Sequence, residues 1–205
     1  MAGKDMKTRK RKAGRPIAFD REAALEAAML LFWERGYEGA SMADLTRAMG
    51  LSASSIYAAF GDKQALFSAA AKRYMESRAG FAMKALEEPT LERVIRALFE
   101  NTARFLTAPG HPPTCMTLTG AMGCGAEANS ARELMREIRR QNQSVIRRRV
   151  LDAQKKGELP KGVRAEDYAR YVATVLAGLS IQAANGATRE ELETMGRMAV
   201  RYLGF

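Results

Sequence analysis

From Asp20 onward, apolar residues recur at helical spacing, and glycine interrupts the recurrence at short intervals. Leu25, Ala28, Leu31 and Phe32 share one face of a first predicted helix, which Asp20 opens as N-cap and Gly36 stops. Ser41 caps a second helix, and Asp44 three residues on completes an approximate capping box. Leu45 and Met49 form its apolar face before Gly50 ends it. Ser52 caps a third short helix, in which Ile56 and Phe60 point inward and which Gly61 closes. Asp62 caps a fourth, carrying Leu66, Phe67, Ala70 and Tyr74 and predicted to reach about residue 86.

A junction is expected at residues 87–90, where Pro89 stands. Beyond it Leu91, Val94, Ile95, Leu98, Phe99, Thr102, Phe105 and Leu106 form the cleanest amphipathic stripe in the chain, broken by Pro109, Gly110, Pro112 and Pro113. A segment rich in small residues (114–125) precedes a long charged helix from about Ser130 to Lys156, which Gly157 and Pro160 end. Two final helices are predicted near 165–185 and 189–203. Runs of β-branched residues that would suggest strands are absent, and there is no internal repeat. The reading is all-α, with about nine helices. Residues 1–18 read as a flexible basic arm, 19–65 as a three-helix head, and 66–205 as a larger helical body.

Charge sharpens this picture. Lys and Arg number 33 against 23 Asp and Glu, for a net charge of +10, which favours a polyanionic partner. The excess is concentrated in the arm, where Arg9, Arg11 and Arg15 stand among lysines, and again near Arg139–Arg140 and Arg147–Arg149. The arm lacks the apolar residues needed to insert into a lipid surface, and no apolar run is long enough to span a bilayer, so no membrane association is expected. Two cysteines, Cys115 and Cys124, do not make a disulfide framework, and the expectation is a reduced cytoplasmic protein. They read as buried hydrophobes rather than a redox switch. His111, the single histidine, reads as an exposed loop residue rather than a metal ligand, and the Arg147–Arg149 run as a solvated helix face. With no nucleophile–base pair, paired carboxylates or phosphate loop, neither a catalytic nor a metal site is expected, and no cofactor.

The segment Ser41 to Phe60, SMADLTRAMGLSASSIYAAF, fits a helix-turn-helix. Two short helices crossing steeply need a glycine in the turn, a small residue facing the second helix, and apolar residues that lock the pair. Gly50, Thr46, and Leu45 with Met49, Leu51 and Ile56 supply these in turn.

Residues 20–75 resemble the TetR family of bacterial regulators. The resemblance lies in LFWERGYEGAS at the end of the first helix and in DLTRAMGLSASSIYAAFGDKQALF, whose GLS-x4-Y-x2-F-x2-K-x2-LF spacing is specific to that family. It implies a dimeric DNA-binding transcriptional regulator, by family default a repressor, acting on a palindromic operator in double-stranded DNA. The helix from Ala53 to Phe60 would enter the major groove, presenting Ala53, Ser54, Ser55 and Ala58 to the bases. Ser41 and Arg47 would approach the phosphates, as would the Tyr57 hydroxyl and Lys63. Where many relatives carry a polar residue before the phenylalanine, this chain has Ala59 beside Ala58, which favours contact with thymine methyls. The run from Arg9 to Arg15 can lie in a minor groove, or act as a solvated tail that raises nonspecific affinity. The competing reading is an architectural protein that coats DNA without choosing an operator.

The resemblance further implies a homodimer through the last two helices, where Ala173, Ala177, Gly178 and Ala183 permit close approach. It also implies a cavity for a small apolar or aromatic effector. The candidate lining is Phe99, Thr102, Phe105, Cys115, Met116, Thr119, Met122, Tyr168 and Tyr171.

Overall fold

The computed structural model describes residues 19–78 and 80–204. The described residues are helical throughout, with ten α-helices and a short 3-10 turn at Ala126–Ala128. In chain order they are α1 (Arg21–Gly39), α2 (Met42–Met49), α3 (Ala53–Phe60), α4 (Lys63–Ser77), α5 (Gly80–Leu86), α6 (Leu91–Leu106), α7 (Met116–Thr119), α8 (Asn129–Lys155), α9 (Ala165–Ala184) and α10 (Arg189–Tyr202).

The starts of the first four helices follow from their caps. Asp20 accepts from the N–H groups of Glu22 and Ala23, Ser52 from that of Ser55, and Asp62 from that of Ala65. Ser41 and Asp44 form a full reciprocal capping box. Gly50, at φ 64°, takes the left-handed conformation that lets α2 turn sharply into α3. Gly36, at φ 72° and ψ 176°, leaves the helical conformation and stops the first run of α1 where the sequence predicts, a short helical stretch following to Gly39, and the Tyr37 N–H donates to the Gly120 carbonyl at 2.7 Å.

Two clusters of buried side chains organise the molecule. The first joins α1–α4, with Phe32, Trp33, Leu45, Ile56 and Phe67 at its heart, and draws in Met116 from α7 and Met135 from α8. The second is built by α5, α6, α8, α9 and α10 around Leu91, Ile95, Leu98, Phe99, Val172 and Leu192. α4 feeds the first cluster along its whole length, through Leu66 near its start to Tyr74 near its end. An ion-pair network clamps it to α1: Arg73 engages Glu22 and Glu26, and Arg78 engages Glu26.

Several expectations are corrected. The fourth helix does not run on to residue 86; α4 ends at Ser77 and a separate α5 begins at Gly80, because glycine weakens continuation there. His111 is not an exposed loop residue: its half-buried ring packs against both Trp33 and Phe105, with centroids 4.7 and 4.6 Å away. Nor is the late arginine run merely solvated. Arg147 reaches Glu166 on α9 at 2.7 Å, and the half-buried Arg149 donates to the carbonyls of Glu88 and Pro89, tying down the turn before α6.

Candidate nucleic-acid interface and ligand cavity

α3 buries Ile56 and Phe60 against the first cluster and turns its opposite face to solvent. Ala53, Ser54, Tyr57 and Ala58 are exposed on that face and Ser55 is half-buried. Ala59 is half-buried against the core, so only Ala58 of the pair is presented outward. Ser52, which the sequence marks only as a cap, also holds the hydroxyls of Ser54 and Ser55, each 2.9 Å from its Oγ. The serines therefore form one hydroxyl cluster at the start of α3, able to rotate between donating and accepting.

Around this helix lie the positions expected to meet phosphates. Ser41 is exposed at the start of α2, but its hydroxyl is engaged with Asp44. That hydrogen bond, and more weakly Arg35 and Arg47, hold the Asp44 carboxyl below its ordinary range. Arg47 is exposed and reaches Asp44 at 3.3 Å. Tyr57 is 49% exposed. Lys63 is half-buried, its Nζ 4.6 Å from the centre of the Tyr37 ring, and burial lowers its pKa from the usual lysine range. A cation–π seat of this kind steers a long, mobile side chain toward one direction. Arg21 sits similarly over the Phe60 ring at 4.6 Å, a basic group beside α3 that the sequence reading passed over. Arg9, Arg11 and Arg15 lie outside the described residues.

A cavity of about 490 Å³ opens between α4, α5, α6, α8 and α9. Of the nine residues expected to line it, it brings together Thr102, Phe105 and Cys115. The other six lie elsewhere. Phe99 faces α10, where Gly196 lies against it, and Met116 is buried in the first cluster. Thr119 hydrogen-bonds the Cys115 carbonyl at 3.2 Å, and Met122 is exposed. Tyr168 and Tyr171 border a separate hollow beside Tyr202 and Leu203. The sequence reading missed the contributions of Tyr74, Phe81, Leu118, Arg139, Ile146 and Ser180. Ser180 carries a signal in retrospect, being a polar residue on the apolar face of a predicted helix; it is fully buried and its Oγ accepts the Cys115 N–H at 2.9 Å.

The cavity touches the head through aromatic rings. Tyr74 and Phe105 line it, and both pack on Trp33 of α1, at 4.8 and 5.8 Å between centroids. Trp33 is fixed by its own indole N–H, which donates to the Thr114 carbonyl at 2.9 Å. Burial pushes the Tyr74 phenol well above its ordinary range, so the hydroxyl stays protonated and donates to Cys115 Sγ at 3.5 Å.

A helix-turn-helix with its second helix open to solvent, mounted on a helical body, defines a class: helix-turn-helix DNA-binding regulators. Residues 24–70 match the family model described as bacterial regulatory proteins, tetR family, and residues 90–197 the tetracyclin repressor-like C-terminal domain. The chain is 30% identical to the HTH-type transcriptional repressor ComR of Escherichia coli (strain K12), over 94% of its own length and 92% of that protein. It is also 30% identical to the HTH-type transcriptional repressor BdcR of the same organism, over 94% of this chain and 93% of the relative. Among solved structures it is similar to the TetR family transcriptional regulator CifR, a cysteine mutant complexed with 26bp double-strand operator DNA. That match has a TM-score of 0.88 and 34% identity, and covers 93% of this chain and 100% of that one. The chain belongs to the TetR family and is a DNA-binding transcriptional regulator.

Proposed function

We propose that the protein is a repressor that binds a palindromic operator as a homodimer and is released by a small effector held in the body cavity. The observation that carries the reading is the exposed face of α3, with Ser54, Tyr57 and Ala58 outward, in a chain similar along its length to an operator-bound regulator. An eight-residue helix makes few base contacts, so two copies on a two-fold axis supply the specificity that one lacks. α9 and α10 offer the pairing surface: Tyr171, Ile181, Met195, Met198 and Tyr202 are exposed on them. Arg9, Arg11 and Arg15 add minor-groove or phosphate contacts ahead of α1.

Release follows from the position of the cavity. An occupant displacing Tyr74 or Phe105 acts on Trp33, and through it on α1 and α4, which hold α3 in place. A ligand that prefers one setting of these helices changes the spacing of the two heads and lowers operator affinity by its differential binding. The test is selection of bound duplexes from a random library. A palindromic consensus bound roughly 10³-fold or more above random duplex is expected. Equal binding of all duplexes would instead make the protein an architectural coat.

A further inference from the structure

The lining of the body cavity is unusual in its charge. Most of it is apolar, supplied by Phe81, Leu98, Phe105, Leu118 and Ile146 among others, yet two arginines, Arg139 and Arg170, also contribute. No aspartate or glutamate among the described residues lines the cavity. Among the described residues no carboxylate lies within ion-pair distance of either arginine, although many other arginines of the molecule have one. Arg139 is half-buried, and one arm of its guanidinium donates to the Thr117 carbonyl at 2.6 Å, which fixes the group at the cavity wall. Burial, and then the neighbouring Arg136, push its pKa down from the usual arginine range, as expected for a cation without a counterion. A guanidinium at such a depth remains charged and holds unused donors.

Burying an uncompensated charge beside apolar surface is costly, and an anion entering the cavity relieves that cost. A cationic effector would add to it. We propose that the effector is an apolar molecule ending in a carboxylate, its head on Arg139 with Arg170 at the exposed side, and its body among the apolar side chains. A monoanion matches the one half-buried charge, since the exposed Arg170 is already solvated. The planar guanidinium also suits a carboxylate's two oxygens. The cavity volume, about 490 Å³, lies in the range that takes compact organic ligands. The inference rests on the effector reading above and gives it a chemical class.

The test uses the full chain without DNA. Trp33, the sole tryptophan, stacks on the cavity-lining Phe105, so its fluorescence reports occupancy. Decanoate, decanol and decylamine share a tail and differ in head charge. Decanoate is expected to saturate the signal at concentrations about tenfold or more below those needed for decanol or decylamine, since a hydrogen bond to a charged group carries that much discrimination. Arg139→Met is expected to abolish the preference for decanoate while leaving decanol binding intact, which also shows that the cavity has folded. Arg139→Lys keeps the charge and should retain part of the preference. Equal or tighter binding of decanol or decylamine by the unaltered protein would overturn the proposal without any variant, as would an undiminished decanoate preference in Arg139→Met. Operator release is measured separately. If decanoate binds as expected yet leaves the operator complex unchanged, the ligand class stands and the effector role falls.

Discussion

Tyr57 on α3 and Lys63 at the start of α4 are held differently, and that difference sets what each substitution should do. The Tyr57 side chain is exposed on α3, where under the proposed function its hydroxyl would meet a phosphate, while Lys63 is braced over Tyr37. Tyr57→Phe keeps the ring and removes one hydrogen bond, so operator affinity should fall by about 1 kcal/mol, as read in a titration of labelled duplex. Lys63→Ala removes a cation, so it should weaken every duplex alike and flatten the dependence of log affinity on log salt by about 0.9 for each phosphate no longer neutralised. A slope equal to that of the unaltered protein would remove Lys63 from the interface. A packing residue makes the contrast. At Gly196 an added Cβ would lie 2.9 Å from the Cβ of Phe99. Because that atom is anchored to the backbone of α6, Gly196→Ala should cost about 1–3 kcal/mol of stability by denaturant unfolding.

At the scale of elements, the placement of α3 depends on how firmly α1 and α4 are joined. Buried apolar surface does most of this, and Glu26 adds a polar tie. Burial works to raise the Glu26 pKa, but hydrogen bonds and charge from Arg73 and Arg78 outweigh it and leave the carboxyl below the ordinary glutamate range. A carboxyl with a depressed folded pKa contributes stability that is present above its unfolded value and is lost as pH falls through the folded one. Glu26→Gln should therefore cost about 1 kcal/mol near neutrality, since the pair is three-quarters buried and better than a surface ion pair. The gap in Tm between the two proteins should close below about pH 4, near and under the unfolded glutamate value. A gap that is constant from pH 7 downward, roughly, would mean the ion pairs contribute nothing.

For the whole molecule the deciding question is whether two copies pair through α9 and α10, as proposed. Met195 and Met198, at 45% and 46% exposure, occupy the face of α10 turned away from Phe99 and the core. Replacing both with Glu would set like charges across the proposed two-fold interface without disturbing the buried Leu192, Gly196 and Val200. Light scattering should then report monomers that keep their helicity, with operator affinity reduced by about 10³-fold or more, to the level of nonspecific binding. Dimers that persist would move the interface elsewhere.

Much of this architecture was legible in the sequence because it is written in local interactions. Caps such as Asp20, Ser41 and Ser52 act on N–H groups two or three residues away, and Gly50 needs nothing beyond its own backbone to turn the chain. The apolar stripe of α6 likewise predicts its buried face, since period and burial are linked within one helix. The cavity was only partly legible. Periodicity tells that Phe99 and Phe105 are apolar, but not that one faces Gly196 and the other Trp33 and the void. That depends on how α6 is rotated against neighbours far along the chain. His111 shows the same limit, as a proline-rich loop gives no hint that its side chain will pack against two aromatic rings. Sequence by itself thus determined the elements, their caps and the exposed face of α3, which short-range forces control. Tertiary structure alone decided which side chains border the cavity and that Arg139 reaches it with no acidic partner among the described residues, because burial and pairing are properties of several helices at once.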